Sequence, residues 1–247
     1  MSNTMKMTED LKALGVKKGD ILLIHSSLRS LGGISAGEAI EALRNAVGEE
    51  GTLVFPTLSY MNCNPSKPNF DYYETASNVG YLPEYFRTQV KGVVRSICPT
   101  HSCAALGRHA EYITQGHKDD VTPCGKNSPF ARVKELGGKI LFIGCGTNCN
   151  TSMHAVEELS EPDYLFGDDC TYNIKDADGR EYQAVCRAHG FKGVAQCYYR
   201  VTSLLNADEY RKGFVLSAEC HLLDAKAVWL RADEKYREDP HYFIDPA

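Results

Sequence analysis

Two titratable residues in the middle of the chain, His154 and Glu157, have the types and spacing of a general base and its partner. An imidazole titrates near neutral pH, so histidine is the side chain most often used to remove a proton from an attacking nucleophile such as an amine. Residues three positions apart lie on the same face of a helix. Glu157 can therefore orient the imidazole or hold an ammonium group. The alternative is a buried, hydrogen-bonded histidine with no catalytic role.

Two consecutive serines, Ser26 and Ser27, come after His25 at the end of an apolar run that is typical of a buried strand. At a strand end, backbone amides and hydroxyl groups that face a cleft can bind the phosphate or amide groups of a ligand. The alternative is that one serine caps the turn that follows. The pattern therefore predicts either a ligand contact or a local cap.

Three apolar runs, residues 21–24, 51–57 and 139–146, predict strands of one buried sheet. A helical pattern at residues 36–47 separates the first two, and the strand–helix–strand order predicts parallel pairing. Ligands of such sheets bind at the carboxyl ends of the strands. We expect the cleft to be lined by residues 25–27, Thr57, Ser59 and residues 147–154.

The remaining patterns predict an α/β protein with a mostly parallel central sheet, flanking helices and a smaller portion that contains a β-hairpin. We expect one integrated domain over residues 1–247, without internal repeats. Further helices are predicted at residues 5–14, 81–89, 128–136, 150–159 and 224–238, a strand at 93–97, a long loop at 61–77 and the hairpin at 168–183.

Composition excludes several classes of function. A net charge of −5 argues against a nucleic-acid partner, which requires a basic surface. No apolar run approaches the roughly 18 residues of a membrane span, and the first residues lack a secretory signal, so we expect a cytoplasmic protein without a membrane partner. The ten cysteines do not form a recognisable metal-ligand pattern. We therefore expect structural thiols and no metal.

Four segments, in this order and spacing, resemble the antibiotic N-acetyltransferase family, which includes the aminoglycoside 3-N-acetyltransferases. They are residues 25–32 (HSSLRSLG), 51–57 (GTLVFPT), 128–138 (SPFARVKELGG) and 144–157 (GCGTNCNTSMHAVE). The resemblance covers approximately residues 11–243. It implies the fold of that family, acetyl-coenzyme A as the acetyl donor and a small-molecule amine as the acceptor.

The resemblance also implies roles for individual residues. His154 matches the family's catalytic histidine, and Glu157 lies three positions after it. The implied cofactor contacts are Ser26, Ser27, Leu28, Thr57, Ser102 and Arg132, with the Thr57 and Ser102 hydroxyls also candidates to stabilise the charge that develops on the thioester oxygen. The acidic candidates for binding the amine are Asp71, Glu74 and Asp163, followed by Asp168 and Asp169.

The function predicted from these features is acetyl transfer to an amino group, most specifically the 3-amino group of an aminoglycoside, which implies a role in antibiotic resistance. Three alternatives stay open: an acetyltransferase of another amine, a coenzyme A-binding relative without catalysis, and an acyl hydrolase. The hydrolase is disfavoured because no nucleophile elbow is recognisable: the single G-x-S-x-G match, at residues 33–37, does not directly follow a predicted strand. Cys98 replaces the family's usual histidine before Pro99, which concerns acceptor specificity more than chemistry. Whether the chain is a monomer or a homodimer stays open.

Overall fold

The computed structural model describes residues 1–247, which form helices and strands in alternation along most of the chain. The helices are α1 (Asn3–Leu14), α2 (Ala36–Val47), α3 (Tyr81–Gln89), α4 (Ala110–Gln115), α5 (Pro129–Glu135), α6 (Ser152–Ser160) and α7 (Ala225–Glu238). The strands are β1 (Ile21–Ser26), β2 (Thr52–Pro56), β3 (Asn69–Asp71), β4 (Val94–Arg95), β5 (Cys103–Gly107), β6 (Lys139–Ile143), β7 (Phe166–Lys175), β8 (Glu181–His189), β9 (Val194–Gln196), β10 (Tyr210–Val215), β11 (Ala218–Asp224) and β12 (Ile244–Pro246).

The central sheet has seven strands in the order β10-β11-β6-β1-β2-β5-β4. Strand β1 lies in the middle and pairs in parallel with β2 and with β6. Antiparallel pairing adds β11 and β10 on one side and β5 and β4 on the other. Strands β4, β2, β1, β6 and β10 consequently point in one direction, and β5 and β11 point in the other. The predicted α/β class with a mostly parallel sheet is confirmed.

The side chains of β1 explain why this strand is apolar throughout. Leu22 and Ile24 belong to a core that packs against α1, α2 and α3. Ile21 and Leu23 belong to a second core that packs against α5, α6 and α7. Because successive side chains of a strand point to opposite faces, β1 is buried on both sides and shows no polar alternation. The predicted layer of helices on each face of the sheet is therefore present.

A smaller three-stranded sheet, β3-β7-β8, contains the predicted hairpin. Strands β7 and β8 pair antiparallel along most of their length, and the turn between them includes Gly179 at a φ of 78°. Phe70, Tyr172 and Ile174 form part of its separate apolar cluster. The segment predicted as a long loop, residues 61–77, is not wholly irregular, because β3 pairs in parallel with β7.

The last strand, β12, pairs antiparallel with β9. The backbone N–H of Cys197 donates to the carbonyl of Phe243 at 2.7 Å. Arg200 extends the contact through a bidentate pair with Asp245, at 2.8 and 2.9 Å. No helix of the structure combines the length and the apolar character that crossing a membrane requires.

Candidate active site

A cavity of about 520 Å³ opens where the parallel strands β1, β2 and β6 end. Because these strands run in the same direction, the residues that follow them meet at one edge of the sheet. The cavity is lined by residues from these three strand ends, from the start of α3, from the segment before β5, from α6 and from the segment around β8 and β9. They are Ile24, His25, Ser26, Pro56, Leu58, Tyr60, Val79, Pro83, His101, Cys145, Asn148, Cys149, Asn150, Thr151, His154, His189, Phe191, Gln196 and Tyr198.

His154 and Glu157 are joined by a hydrogen bond on the buried side of α6. His154 Nδ1 lies 3.1 Å from Glu157 Oε2, and the carboxylate is completely buried. The hydroxyl of Tyr198 lies 2.7 Å from His154 Nδ1 and donates to Glu157 Oε2 at 2.6 Å. The other carboxylate oxygen accepts a hydrogen bond from Tyr164 at 2.9 Å. Two tyrosines and one histidine therefore fix the position of this carboxylate.

This geometry determines which ring nitrogen of His154 carries the proton. Since the Tyr198 hydroxyl gives its hydrogen to Glu157, its oxygen and the carboxylate are both acceptors for the N–H at Nδ1 of His154. The neutral ring is then protonated at Nδ1 and has its lone pair at Nε2, which makes no hydrogen bond with the protein. Because His154 lines the cavity, Nε2 is the nitrogen that a ligand can reach.

The carboxyl group of Glu157 is ionised in this arrangement. Burial raises the pKa of Glu157, but the hydrogen bonds from His154, Tyr198 and Tyr164 outweigh burial and hold the pKa below its usual value. A buried carboxylate that remains charged stabilises a positive charge on the adjacent imidazole. The pair can therefore accept a proton from a bound group and keep the resulting imidazolium in place.

Three further histidines surround His154; the sequence placed His25 in the cleft but assigned no role to His101 or His189. The ring of His154 lies 5.7 Å from that of His101 and 5.2 Å from that of His189, measured between centroids. Burial, followed by the proximity of His154, lowers the pKa of His25 to about 3, and burial also lowers the pKa of His101 and His189. These neighbours stay neutral, so they add hydrogen-bonding groups to the cavity without adding charge.

His25 and Ser26 are adjacent polar residues at the end of β1, and both line the cavity. His25 stacks on Phe142, with ring centroids 4.9 Å apart. The Nε2 atom of His25 and the hydroxyl of Ser26 are buried and have no hydrogen-bond partner. Buried polar atoms of folded proteins are almost always paired. Asn150 Nδ2 and His189 Nδ1, on the same cavity wall, are also buried without a partner, so four side chains of the wall can take a polar partner from a ligand.

Four other residues predicted to contact the cofactor do not line the cavity. Ser27 accepts a hydrogen bond from the Ser30 hydroxyl at 3.0 Å, and Leu28 packs against the core below the turn. Thr57 and Ser102 are completely buried and lie 3.1 Å apart. Pro56 and Leu58 line the cavity, so the residue between them, Thr57, points to the opposite face of the extended chain. The structure therefore brings Ser26, but not these residues, to the cavity.

The charged residues that were predicted to bind ligands pair instead with other side chains of the protein. Arg132 donates to Glu135 at 2.7 Å and to Asn127 at 3.0 Å on the outside of α5. Asp71 pairs with Lys175 at 2.9 Å and also accepts hydrogen bonds from the backbone of residues 73 and 74. None of these residues lines the cavity.

The remaining acidic candidates are also outside the cavity wall. Asp163 lies 3.0 Å from His241 Nε2, and Glu74 is exposed. Asp168 and Asp169 are exposed on β7. The structure therefore separates all five predicted acceptor-binding carboxylates from His154.

One group of potential metal ligands lies beside the cavity, comprising Cys124, Glu158 and His189. The Glu158 carboxylate already accepts hydrogen bonds from His189 at 2.7 Å, from the Cys124 backbone at 2.8 Å and from the Thr122 hydroxyl. These donors satisfy the carboxylate without an ion. The group connects α6 to β8 and to the segment before α5.

Comparison of the whole chain with known proteins identifies a family to which it is similar. Residues 23–237 match the family model described as aminoglycoside 3-N-acetyltransferase. The chain is 30% identical to the aminoglycoside N(3)-acetyltransferase III of a Salmonella species, over 92% of this chain and 89% of that protein. It is 34% identical to the prophage-derived aminoglycoside N(3')-acetyltransferase-like protein YokD of Bacillus subtilis, over 61% of this chain and 63% of that protein.

Solved structures agree with the sequence relatives. A mutant of the aminoglycoside acetyltransferase AAC(3)-IVa in complex with gentamicin superposes with a TM-score of 0.82 and is 28% identical, covering 98% of this chain and 91% of the other. YokD of Bacillus subtilis also superposes with a TM-score of 0.82, at 26% identity and with coverage of 97% and 94%. The chain therefore belongs to the aminoglycoside 3-N-acetyltransferase family and is an acyltransferase.

Proposed function

We propose that the chain transfers the acetyl group of acetyl-coenzyme A directly to an amino group of a polar small molecule, with His154 as the general base. The observation that carries this proposal is the geometry of His154. Its Nδ1 is held by Glu157 and Tyr198, and its Nε2 is the ring nitrogen available in the cavity. The names of the relatives support an acetyl group as the group transferred and an amine as its acceptor.

The reaction follows from this arrangement. The amine nitrogen attacks the thioester carbonyl while Nε2 of His154 takes the proton that the nitrogen loses. The tetrahedral intermediate then expels the sulfur of coenzyme A, and the imidazolium returns its proton to that sulfur. Glu157 stabilises the imidazolium between the two transfers. One C–N bond forms, one C–S bond breaks, and the products are an acetamide and free coenzyme A.

Two classes of acceptor fit different observations. The relatives' names support the 3-amino group of an aminoglycoside. The cavity wall supports an amine with fewer positive charges, because its polar residues are histidines, tyrosines, amides, hydroxyls and thiols, its other residues are apolar, and no carboxylate is among them. A polycationic ligand is usually bound by carboxylates. Release of the coenzyme A thiol from acetyl-coenzyme A, measured across a panel of aminoglycosides and monoamines, distinguishes the two classes. The absence of thiol release with every amine would contradict the proposal.

Replacement of Ser26 by alanine is expected to weaken the binding of coenzyme A by about three- to tenfold, because one buried hydroxyl would lose its ligand partner. Ser27→Ala is the matched control, since the Ser27 hydroxyl is already bonded to Ser30. Isothermal titration calorimetry with coenzyme A measures both affinities. An equal loss in the two variants, or none in Ser26→Ala, would place the donor elsewhere.

Replacement of Tyr198 by phenylalanine is expected to lower kcat about tenfold, because the hydroxyl holds both His154 and Glu157. Tyr164→Phe is the matched control, since it removes a hydrogen bond from the same carboxylate but none from His154. Equal effects of the two substitutions on kcat would contradict this role of Tyr198.

A further inference from the structure

Two of the ten cysteines differ from the rest in their surroundings. Eight cysteines are buried, whereas Cys149 is exposed and Cys145 is half-buried. Both of these residues line the cavity that contains His154. Buried thiols pack as small apolar groups and react slowly, but accessible thiols in a ligand cavity can react with whatever the cavity binds.

The backbone brings Cys145 and Cys149 together. Cys145 lies two positions after the end of β6, and the 3₁₀ turn that follows it (Thr147–Cys149) ends at Cys149. The turn closes through a hydrogen bond from the backbone N–H of Cys149 to the carbonyl of Gly146, at 3.1 Å. Interaction between the two thiols lowers the pKa of Cys149 to about 7 and raises that of Cys145. The two cysteines therefore line one cavity a single turn apart and have unequal acidity.

We propose that Cys149 is a covalent modification site for disulfides of coenzyme A, with Cys145 as the second thiol that completes the oxidation. The proposal rests on the proposed function, because the cavity that these cysteines line is the one assigned to the acetyl donor. A coenzyme A molecule bound there places its own sulfur in the same cavity as Cys149. The disulfide of coenzyme A carries the same groups that the cavity would bind in coenzyme A. It also carries an oxidised sulfur that a thiolate can attack.

The chemistry has two balanced steps. The Cys149 thiolate attacks one sulfur of the coenzyme A disulfide, so a Cys149–coenzyme A disulfide forms and one coenzyme A thiol leaves. The Cys145 sulfur, after losing its proton, attacks the Cys149 sulfur and releases the second coenzyme A thiol. The enzyme's two thiols become one disulfide, and the coenzyme A disulfide is reduced to two thiols. The new disulfide narrows the cavity beside His154, so acetyl transfer should fall until a reductant restores the thiols.

Intact-mass spectrometry of the reduced chain, treated with coenzyme A disulfide, tests this proposal. The wild-type chain should lose two hydrogens, Cys145→Ser should retain one coenzyme A on residue 149, and Cys149→Ser should acquire neither change. Cys197→Ser, which replaces a buried cysteine outside the cavity, should behave like the wild type. Oxidised glutathione should react more slowly by on the order of tenfold or more, because it lacks the coenzyme A portion that the cavity binds.

Equal rates with the two disulfides, or an adduct spread over several cysteines, would overturn the proposal. Acetyl transfer by the untreated, reduced chain is measured in parallel. Transfer without a selective reaction at Cys149 contradicts the modification site and leaves the proposed function intact. A selective reaction at Cys149 without acetyl transfer to any amine contradicts the proposed function and supports the modification site.

Discussion

Replacement of His154 by alanine is expected to lower kcat by about 10²–10⁴-fold while changing the affinity for coenzyme A little. The reason is that His154 Nε2 is proposed as the base for the attacking amine, whereas the donor is proposed to be held at the end of β1. The wild-type rate should rise with pH through an ionisation that the variant lacks. Because the pKa of Glu157 is held below its usual value, Glu157 stays charged over that range and does not produce the acid limb.

Steady-state kinetics with a competent amine and calorimetry with coenzyme A measure the two quantities separately. His241→Ala is a suitable control, since it removes an exposed imidazole that pairs with Asp163 outside the cavity. Near-normal turnover by His154→Ala would mean that His154 is a structural histidine. A parallel loss of coenzyme A binding would mean that its effect is not confined to proton transfer.

Replacement of Glu157 by glutamine is expected to lower kcat by about 10–100-fold, the range typical of residues that orient a functional histidine. The amide keeps the shape of the side chain but cannot offer a negative charge to the imidazolium. It can also donate a hydrogen to Nδ1 and so favour the tautomer with its proton on Nε2, which is unable to act as a base. The effect should appear in kcat and in the pH profile, with a smaller change in KM.

Glu158→Gln provides the matched control, because Glu158 is the adjacent, nearly buried carboxylate of the same helix but bonds to His189, Cys124 and Thr122 instead of His154. Thermal unfolding of both variants shows whether the loss of a buried carboxylate alone reduces stability. If Glu158→Gln lowers kcat as much as Glu157→Gln, the orientation of His154 by Glu157 is not the cause.

The elements that sequence predicted best are those whose pattern has a local cause. Helix α2 occupies residues 36–47 as predicted, because the capping box of Ser35 and Glu38 fixes its start and Gly48 follows its end. Helix α7 begins after Asp224, whose side chain accepts a hydrogen bond from the backbone of Ala227. Strand β1 is recognisable because both of its faces are buried.

The strands that were not predicted from the sequence form because they pair with strands that lie far away along the chain. Strand β5 has a short run of small residues that suits several structures, and it becomes a strand by pairing with β2 and β4. Polar and apolar residues alternate only weakly along β10. It becomes a strand by pairing with β11, which itself pairs with β6. Pairing of this kind depends on residues far away in sequence, so no local pattern encodes it.

The same distinction applies to the site. His154 and Glu157 could be found because they lie three positions apart on one helix and match a segment of the family. Tyr198 and His189 come from segments more than thirty positions further along the chain, and nothing in their local sequence connects them to α6. The carboxylates predicted to bind the acceptor failed to reach the cavity for a related reason. Asp71 and Asp163 have partners, Lys175 and His241, that lie far from them in sequence.

The pairing of β9 with β12 lets the last residues of the chain influence the position of Tyr198, which contacts His154. Tyr198 follows β9 by one residue, and the Cys197 backbone between them is anchored to Phe243. The position of the Tyr198 hydroxyl against His154 therefore depends on residues that do not line the cavity. A peptide tag joined after Ala247, or a neighbouring protein that draws β12 away, is expected to move the Tyr198 hydroxyl relative to His154 before it disturbs the central sheet.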